Sequence, residues 1–239
     1  MKQGTEKKRT DPASLPQAKA KGGDAIKRVL PAFLLFFLLW LAWGAWETFA
    51  VPRLPAGLGM TLLDSVVMKS LFWGVLPLLM LLRYRKDASV PLKELFCSRF
   101  PVFSCVVLLC LTTAFLYTVR LARGLVNTHV IFDPMFIVLS LTAGVVEEFG
   151  FRGVIFNLQE PVLGFWPAAL LNGVMFTLYH YPGLLFGDSW LRLFSFRGLL
   201  IFVMGVVFCF VMKKRRNLPL NMTVHTVWDI LSYLFCLAG

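Results

Sequence analysis

The sequence is poor in charge: 15% of its 239 residues are Asp, Glu, Lys or Arg, where a soluble domain carries about 25%. Hydrophobic residues make up 58% and the mean hydropathy is +0.72. With several apolar runs near the ~20 residues that cross a bilayer, this excludes an ordinary soluble domain. Acidic residues are scarcest, 13 against 24 Lys and Arg, which leaves a net charge of +11. That excess does not mark a nucleic-acid binder, because the basic residues sit in short blocks between apolar runs, as cytoplasmic loops do. Five cysteines are present, Cys97, Cys105, Cys110, Cys209 and Cys236, and no two form CxxC. Most lie in or beside apolar runs and read as small buried hydrophobes rather than redox or metal groups. HExxH is absent, and so is any internal repeat. What remains is an all-α, polytopic membrane protein whose first partner is the lipid bilayer.

Residues 1–28 are polar and basic, rich in Lys, Pro, Gly and Ala, and are expected to form a disordered cytoplasmic tail. No small-residue cleavage site follows the first apolar run, so that run reads as an uncleaved anchor. Seven spans are expected, near 30–50, 61–82, 101–119, 134–160, 166–181, 196–212 and 218–238. The first three form an N-terminal unit, 29–133, and the last four a core, 134–239. Trp40, Trp43 and Trp46 read as packing or interfacial anchors. Asp64 and Lys69 in span two are expected near the far interface, and His129 sits alone in a loop. The inside segments hold 8, 5 and 4 basic residues and the outside links 5. This places the N-terminus in the cytosol, and the short loops with basic faces suggest a bacterial cytoplasmic membrane.

Residues 143–160, AGVVEEFGFRGVIFNLQE, break the apolar pattern. A charge at bilayer depth costs roughly 2.5–3.5 kcal/mol on insertion scales, so Glu147, Glu148 and Arg152 need partners. Glu148 and Arg152, four apart, share a helix face and can pair. Glu147 projects about 100° away and is left for chemistry. Glu147 and His180 are equidistant from the turn PVLGFWP, so antiparallel helices leaving it put both about 20 Å from the turn. Asn172, Phe176 and His180 are four apart on one face; Asn172, Phe176 and Asn221 are the candidates for substrate contact, though packing is the simpler role for Asn172. Asn221, His225 and Asp229 form a second stripe, with His225 roughly 12 Å from the end of its helix, shallower than Glu147. A carboxylate facing an imidazole can hold and activate a water, and a second histidine can donate to an oxyanion. No serine or cysteine nucleophile fits the pattern. The chemistry expected is single-displacement hydrolysis, most simply of a peptide bond, without a cofactor. Two histidines and two carboxylates could also ligate Zn²⁺, the lesser reading because Arg152 adds positive charge beside Glu148.

Three motifs, Glu147-Glu148-Phe149-Gly150-Phe151-Arg152, Phe176-Thr177-Leu178-Tyr179-His180 and His225-Thr226-Val227-Trp228-Asp229, in this order resemble the CAAX protease and bacteriocin-processing family of intramembrane glutamic peptidases, to which type II CAAX prenyl endopeptidases belong. The resemblance covers roughly residues 134–238. It implies Glu147 as general base with His180 as its partner, His225 and Asp229 on the oxyanion side, and Glu148 and Arg152 in support. Asp229 departs from the asparagine often found there: an ionised aspartate cannot donate to an oxyanion, so it would be protonated or would orient His225. The resemblance implies an endopeptidase acting near the end of a membrane-associated protein or peptide. Two other readings stand beside it, a non-catalytic immunity or regulatory protein on the same scaffold and a proton-coupled carrier.

Overall fold

The computed structural model describes residues 22–97, 99–124 and 133–235. The tail before residue 22, His129 and Cys236 lie outside the described residues. Helix α1 runs Gly22–Ala45 and continues through a wider π-helical turn, Trp46–Ala50. Helix α2 is Leu58–Arg83 and α4 is Val102–Ala122, separated by a short helix α3, Leu92–Cys97, within the segment expected to be loop. Helix α5 is Pro134–Leu163, α6 is Phe165–Tyr179, α7 is Phe196–Arg215 and α8 is Leu218–Leu234. Among the described residues there is no strand.

Five of these helices are long and apolar enough to cross a membrane: Val29–Arg53, α2, α4, α5 and α7. Along them large apolar side chains point outward, such as Leu38, Leu79, Leu141 and Leu199. In water such continuous apolar exposure would be a liability; in lipid it is the required surface. Two of the seven expected spans are shorter. Helix α6 has 15 residues and α8 has 17. Pro182 lacks an amide hydrogen and restricts Tyr181, so α6 stops at His180 and the chain turns into short 3-10 segments, Pro182–Phe186 and Trp190–Phe194.

Local sequence sets the helix starts. The Asp133 side chain accepts a hydrogen bond from the Met135 amide at 2.9 Å, with Pro134 beginning α5. Ser195 accepts from the Gly198 amide at 3.1 Å at the start of α7, and Asn217 from the Leu220 amide at 2.9 Å at the start of α8. Each satisfies an otherwise orphaned donor of a first helical turn. Gly164, at φ 79°, makes the turn between α5 and α6. Asn157 ties the loop after α2 to α5: it accepts from Ser89 Oγ and the Val90 amide, and donates to the Val90 carbonyl, each at 2.8 Å.

With no water to drive them together, helices in a bilayer pack through small residues. A Cβ on Gly144 of α5 would meet Thr226 of α8, its amide nitrogen at 2.8 Å. A Cβ on Gly205 of α7 would fall 2.9 Å from the Cα of Gly173 on α6. Gly205→Leu is therefore expected to lower stability by about 1–3 kcal/mol or more, because no flexible side chain can yield. Thermal unfolding of the purified protein in micelles reads this directly, with Gly59→Ala, where a Cβ meets nothing within 4 Å, as the mild control.

Trp40 and Trp43 are buried in packing contacts, while Trp46 donates to Asp64 Oδ1 at 2.7 Å. Cys105 and Cys209 are buried as expected; Cys110 is exposed on the apolar surface of α4.

Candidate functional site

Helices α2, α5, α6 and α8 converge on Glu147. Its position is fixed by the α5–α8 approach at Gly144, one turn earlier, and by the π-helical stretch Phe149–Phe156, directly after Glu148. A π-helical segment widens the helix and is frequent beside functional sites. Here it carries Arg152. Behind the site, Trp73 of α2 stacks on Phe151 at 5.1 Å between ring centres and meets Tyr179 edge-on at 4.8 Å. This aromatic wall holds Tyr179 toward Glu147.

Glu147 and Glu148 are both buried, at 3% and 0% exposure, and their surroundings differ. Glu148 is fully engaged. Its Oε1 accepts from Arg152 Nη1 at 2.9 Å and lies 3.0 Å from His225 Nδ1; its Oε2 lies 3.3 Å from Asn221 Nδ2. Arg152 also donates to the Gly205 carbonyl at 3.2 Å, with its guanidinium 4.2 Å from the centre of the Phe176 ring. One carboxylate thus links α5, α7 and α8. The expected Glu148–Arg152 pair is present.

Glu147 is held on one side. Its Oε1 accepts from Tyr179 OH at 2.8 Å and from Lys69 Nζ at 3.0 Å. Its Oε2 is buried, makes no hydrogen bond, and faces two imidazoles: His180 Nε2 at 3.9 Å and His225 Nε2 at 3.8 Å. His180, which ends α6, has its Nδ1 2.8 Å from the Phe176 carbonyl. A carbonyl only accepts, so Nδ1 carries the hydrogen, and in the neutral ring the Nε2 lone pair points at Glu147. The same reasoning applies to His225, whose Nδ1 donates to Glu148. Both rings meet Phe176 edge-on, at 4.7 and 5.9 Å between centres.

The difference in depth expected for His225 does not keep it from the site, since its Nε2 lies 3.8 Å from Glu147 Oε2. Asp229 lies on the Nε2 side of His225, with Oδ2 at 3.7 Å. The Nδ1 position, where a carboxylate would orient the ring, is taken by Glu148. The other three candidates, Asn172, Phe176 and Asn221, are buried in contacts within the bundle. Asn172 is buried and donates to the Phe151 carbonyl at 2.9 Å while accepting from Cys209 Sγ. Phe176 forms the aromatic floor between Arg152 and the histidines. Asn221 is buried and donates to Glu148 and to the Phe208 carbonyl.

Two residues of this cluster were not expected there. Lys69 belongs to the site instead of the far interface. A signal was available, since Lys69 and Arg152 are the basic residues that lie inside apolar spans away from their ends, and each sits on one of two adjacent glutamates. Tyr179, next to His180, gave no signal, because a tyrosine in an apolar helix is usually packing.

The fold and this cluster define a multi-pass helical membrane protein with a buried carboxylate–imidazole site. Residues 129–231 match the model of the Type II CAAX prenyl endopeptidase Rce1-like family. That segment contains all three motifs; Lys69 lies outside it. No curated protein and no solved structure matches the chain.

Proposed function

We propose that this protein is an intramembrane endopeptidase that hydrolyses a peptide bond near the end of a membrane-associated protein or peptide. The observation that carries the reading is the free Oε2 of Glu147, facing both imidazole Nε2 atoms at 3.8–3.9 Å. That spacing is too long for a direct hydrogen bond and suits a water about 2.8 Å from each partner.

Glu147 Oε2 takes a proton from this water as its oxygen attacks the carbonyl carbon of the peptide. His180 Nε2 accepts a hydrogen bond from the water's other O–H, which stays on the oxygen, and so orients the attack. His225, when doubly protonated, presents Nε2–H to the developing oxyanion, with Asp229 close enough to balance that charge. Asp229 then needs no proton of its own to serve the reaction. Collapse of the tetrahedral intermediate breaks the carbon–nitrogen bond. The proton held by Glu147 passes to the leaving amine, and the carboxylate is restored. No covalent enzyme intermediate forms, and the chemistry requires no cofactor. Lys69 Nζ, 3.0 Å from Glu147, and Arg152 already supply positive charge where a Zn²⁺ would compete for the same carboxylates.

The test is substrate-agnostic. The membrane proteome of a host lacking the gene is compared with that of the same host carrying the wild-type copy, reading peptide termini by mass spectrometry. The expected result is a set of new carboxyl termini confined to the complemented strain. Identical termini, with the protein present in the membrane, would remove the protease reading and favour a non-catalytic membrane scaffold.

A further inference from the structure

Lys69 stands on α2, in the N-terminal half of the chain, yet it ends on the central carboxylate of the site. We propose that Lys69, together with Tyr179, is a positioning residue of the reaction: the two clamp Glu147 Oε1, so that Oε2 alone is presented to the water. This rests on the endopeptidase reading above and assigns to α2 a part in it.

Four observations support the assignment. A lysine inside an apolar span is costly to insert and is kept where it has a specific partner. Lys69 Nζ is 3.0 Å from Glu147 Oε1, and its side chain is 18% exposed, against 4% for Glu147. Tyr179 OH donates to the same oxygen at 2.8 Å, so both donors fall on one lobe of the carboxylate and none on the other. Finally, the bundle already has a purely internal ion pair in Glu148–Arg152, with both side chains fully buried and bonded to α7 and α8. The Lys69 pair differs in that it touches an acid whose other oxygen is buried and unengaged.

The physical consequence is orientational. A carboxylate held at one oxygen by two donors from different helices cannot rotate about its terminal bond. The lone pairs of Oε2 then stay aimed between His180 and His225. A misplacement of about 1 Å at a reacting group costs on the order of 10²-fold in rate. Removing one donor is therefore expected to slow turnover without altering how substrate is held.

The experiment uses the full-length protein in lipid nanodiscs and a membrane-anchored peptide spanning one wild-type-dependent terminus. Lys69→Met is expected to lower kcat about 10- to 100-fold with KM within about threefold. Lys69→Arg should recover most of the loss. Since Lys69 acts through Glu147, the double variant Lys69→Met/Glu147→Gln should be no slower than Glu147→Gln alone. If Lys69→Met fails to accumulate, Tyr179→Phe removes the other clamp donor with no change of charge, and is expected to lower kcat about 10-fold. Wild-type kcat in Lys69→Met or in Tyr179→Phe, with Glu147→Gln inactive, overturns the clamp and leaves the protease reading standing. A further loss in the double variant also overturns it, because Lys69 would then act independently of Glu147. Full activity in Glu147→Gln overturns both.

Discussion

Replacing Arg152 by methionine is expected to destabilise the folded protein by about 3–5 kcal/mol, because it strips the buried Glu148 carboxylate of its guanidinium partner. Glu148 cannot turn to solvent: its side chain is fully buried, and it joins three helices through Arg152, His225 and Asn221. Methionine fills much of the same volume, so the loss reports charge and hydrogen bonding more than a cavity. The double variant Glu148→Gln/Arg152→Met should recover part of that stability, since a neutral pair avoids the uncompensated charge. Unfolding of the purified variants in matched micelles measures both. If Arg152→Met were as stable as wild type, His225, 3.0 Å from Glu148, would have to supply the counter-charge alone.

Replacing His180 by alanine should have the opposite profile, a loss of rate with little loss of fold. Its ring makes one hydrogen bond, to the Phe176 carbonyl, and its side chain is 24% exposed. The structural cost of losing such a bond is about 1 kcal/mol. The cost in rate is that of a group that orients or moves a proton in the transition state, typically 10²- to 10⁴-fold. Cleavage of the peptide that reports wild-type activity, measured at matched protein level, is expected to fall by that factor. His225→Ala should lose both rate and stability, because its Nδ1 also satisfies Glu148. A His180→Ala variant cleaving at the wild-type rate would place the active water elsewhere.

Much of this was legible from the sequence because a bilayer is a strict solvent. It makes every internal charge conspicuous, and Glu147, Glu148 and Arg152 stood out against an apolar helix for that reason. The antiparallel geometry of α5 and α6 followed from the turn at Gly164, and the four-residue spacing of Glu148 and Arg152 gave their pairing. Three features were not legible. The lengths of α6 and α8 depend on where Pro182 and the start of α8 let the helices end, so two of the seven expected spans prove short. The role of Lys69 depends on how α2 packs against α5, a contact between residues 78 positions apart that no local pattern encodes. Which carboxylate orients His225 was equally hidden. The resemblance left Asp229 either protonated or orienting His225, and the packing of α8 on α5 puts Glu148 at Nδ1.

The central claim, that Glu147 performs the chemistry, is tested most directly by exchanging it for glutamine. The side chain keeps its size and can still be held by Tyr179, while losing the capacity to take a proton from water. Wild type and Glu147→Gln are expressed at equal levels in the host lacking the gene, and carboxyl termini of membrane proteins are compared by mass spectrometry. The account predicts that the wild-type-dependent termini vanish or fall by at least about 10²-fold, with the variant still folded in the membrane. The same termini formed at the same rate by Glu147→Gln would contradict it.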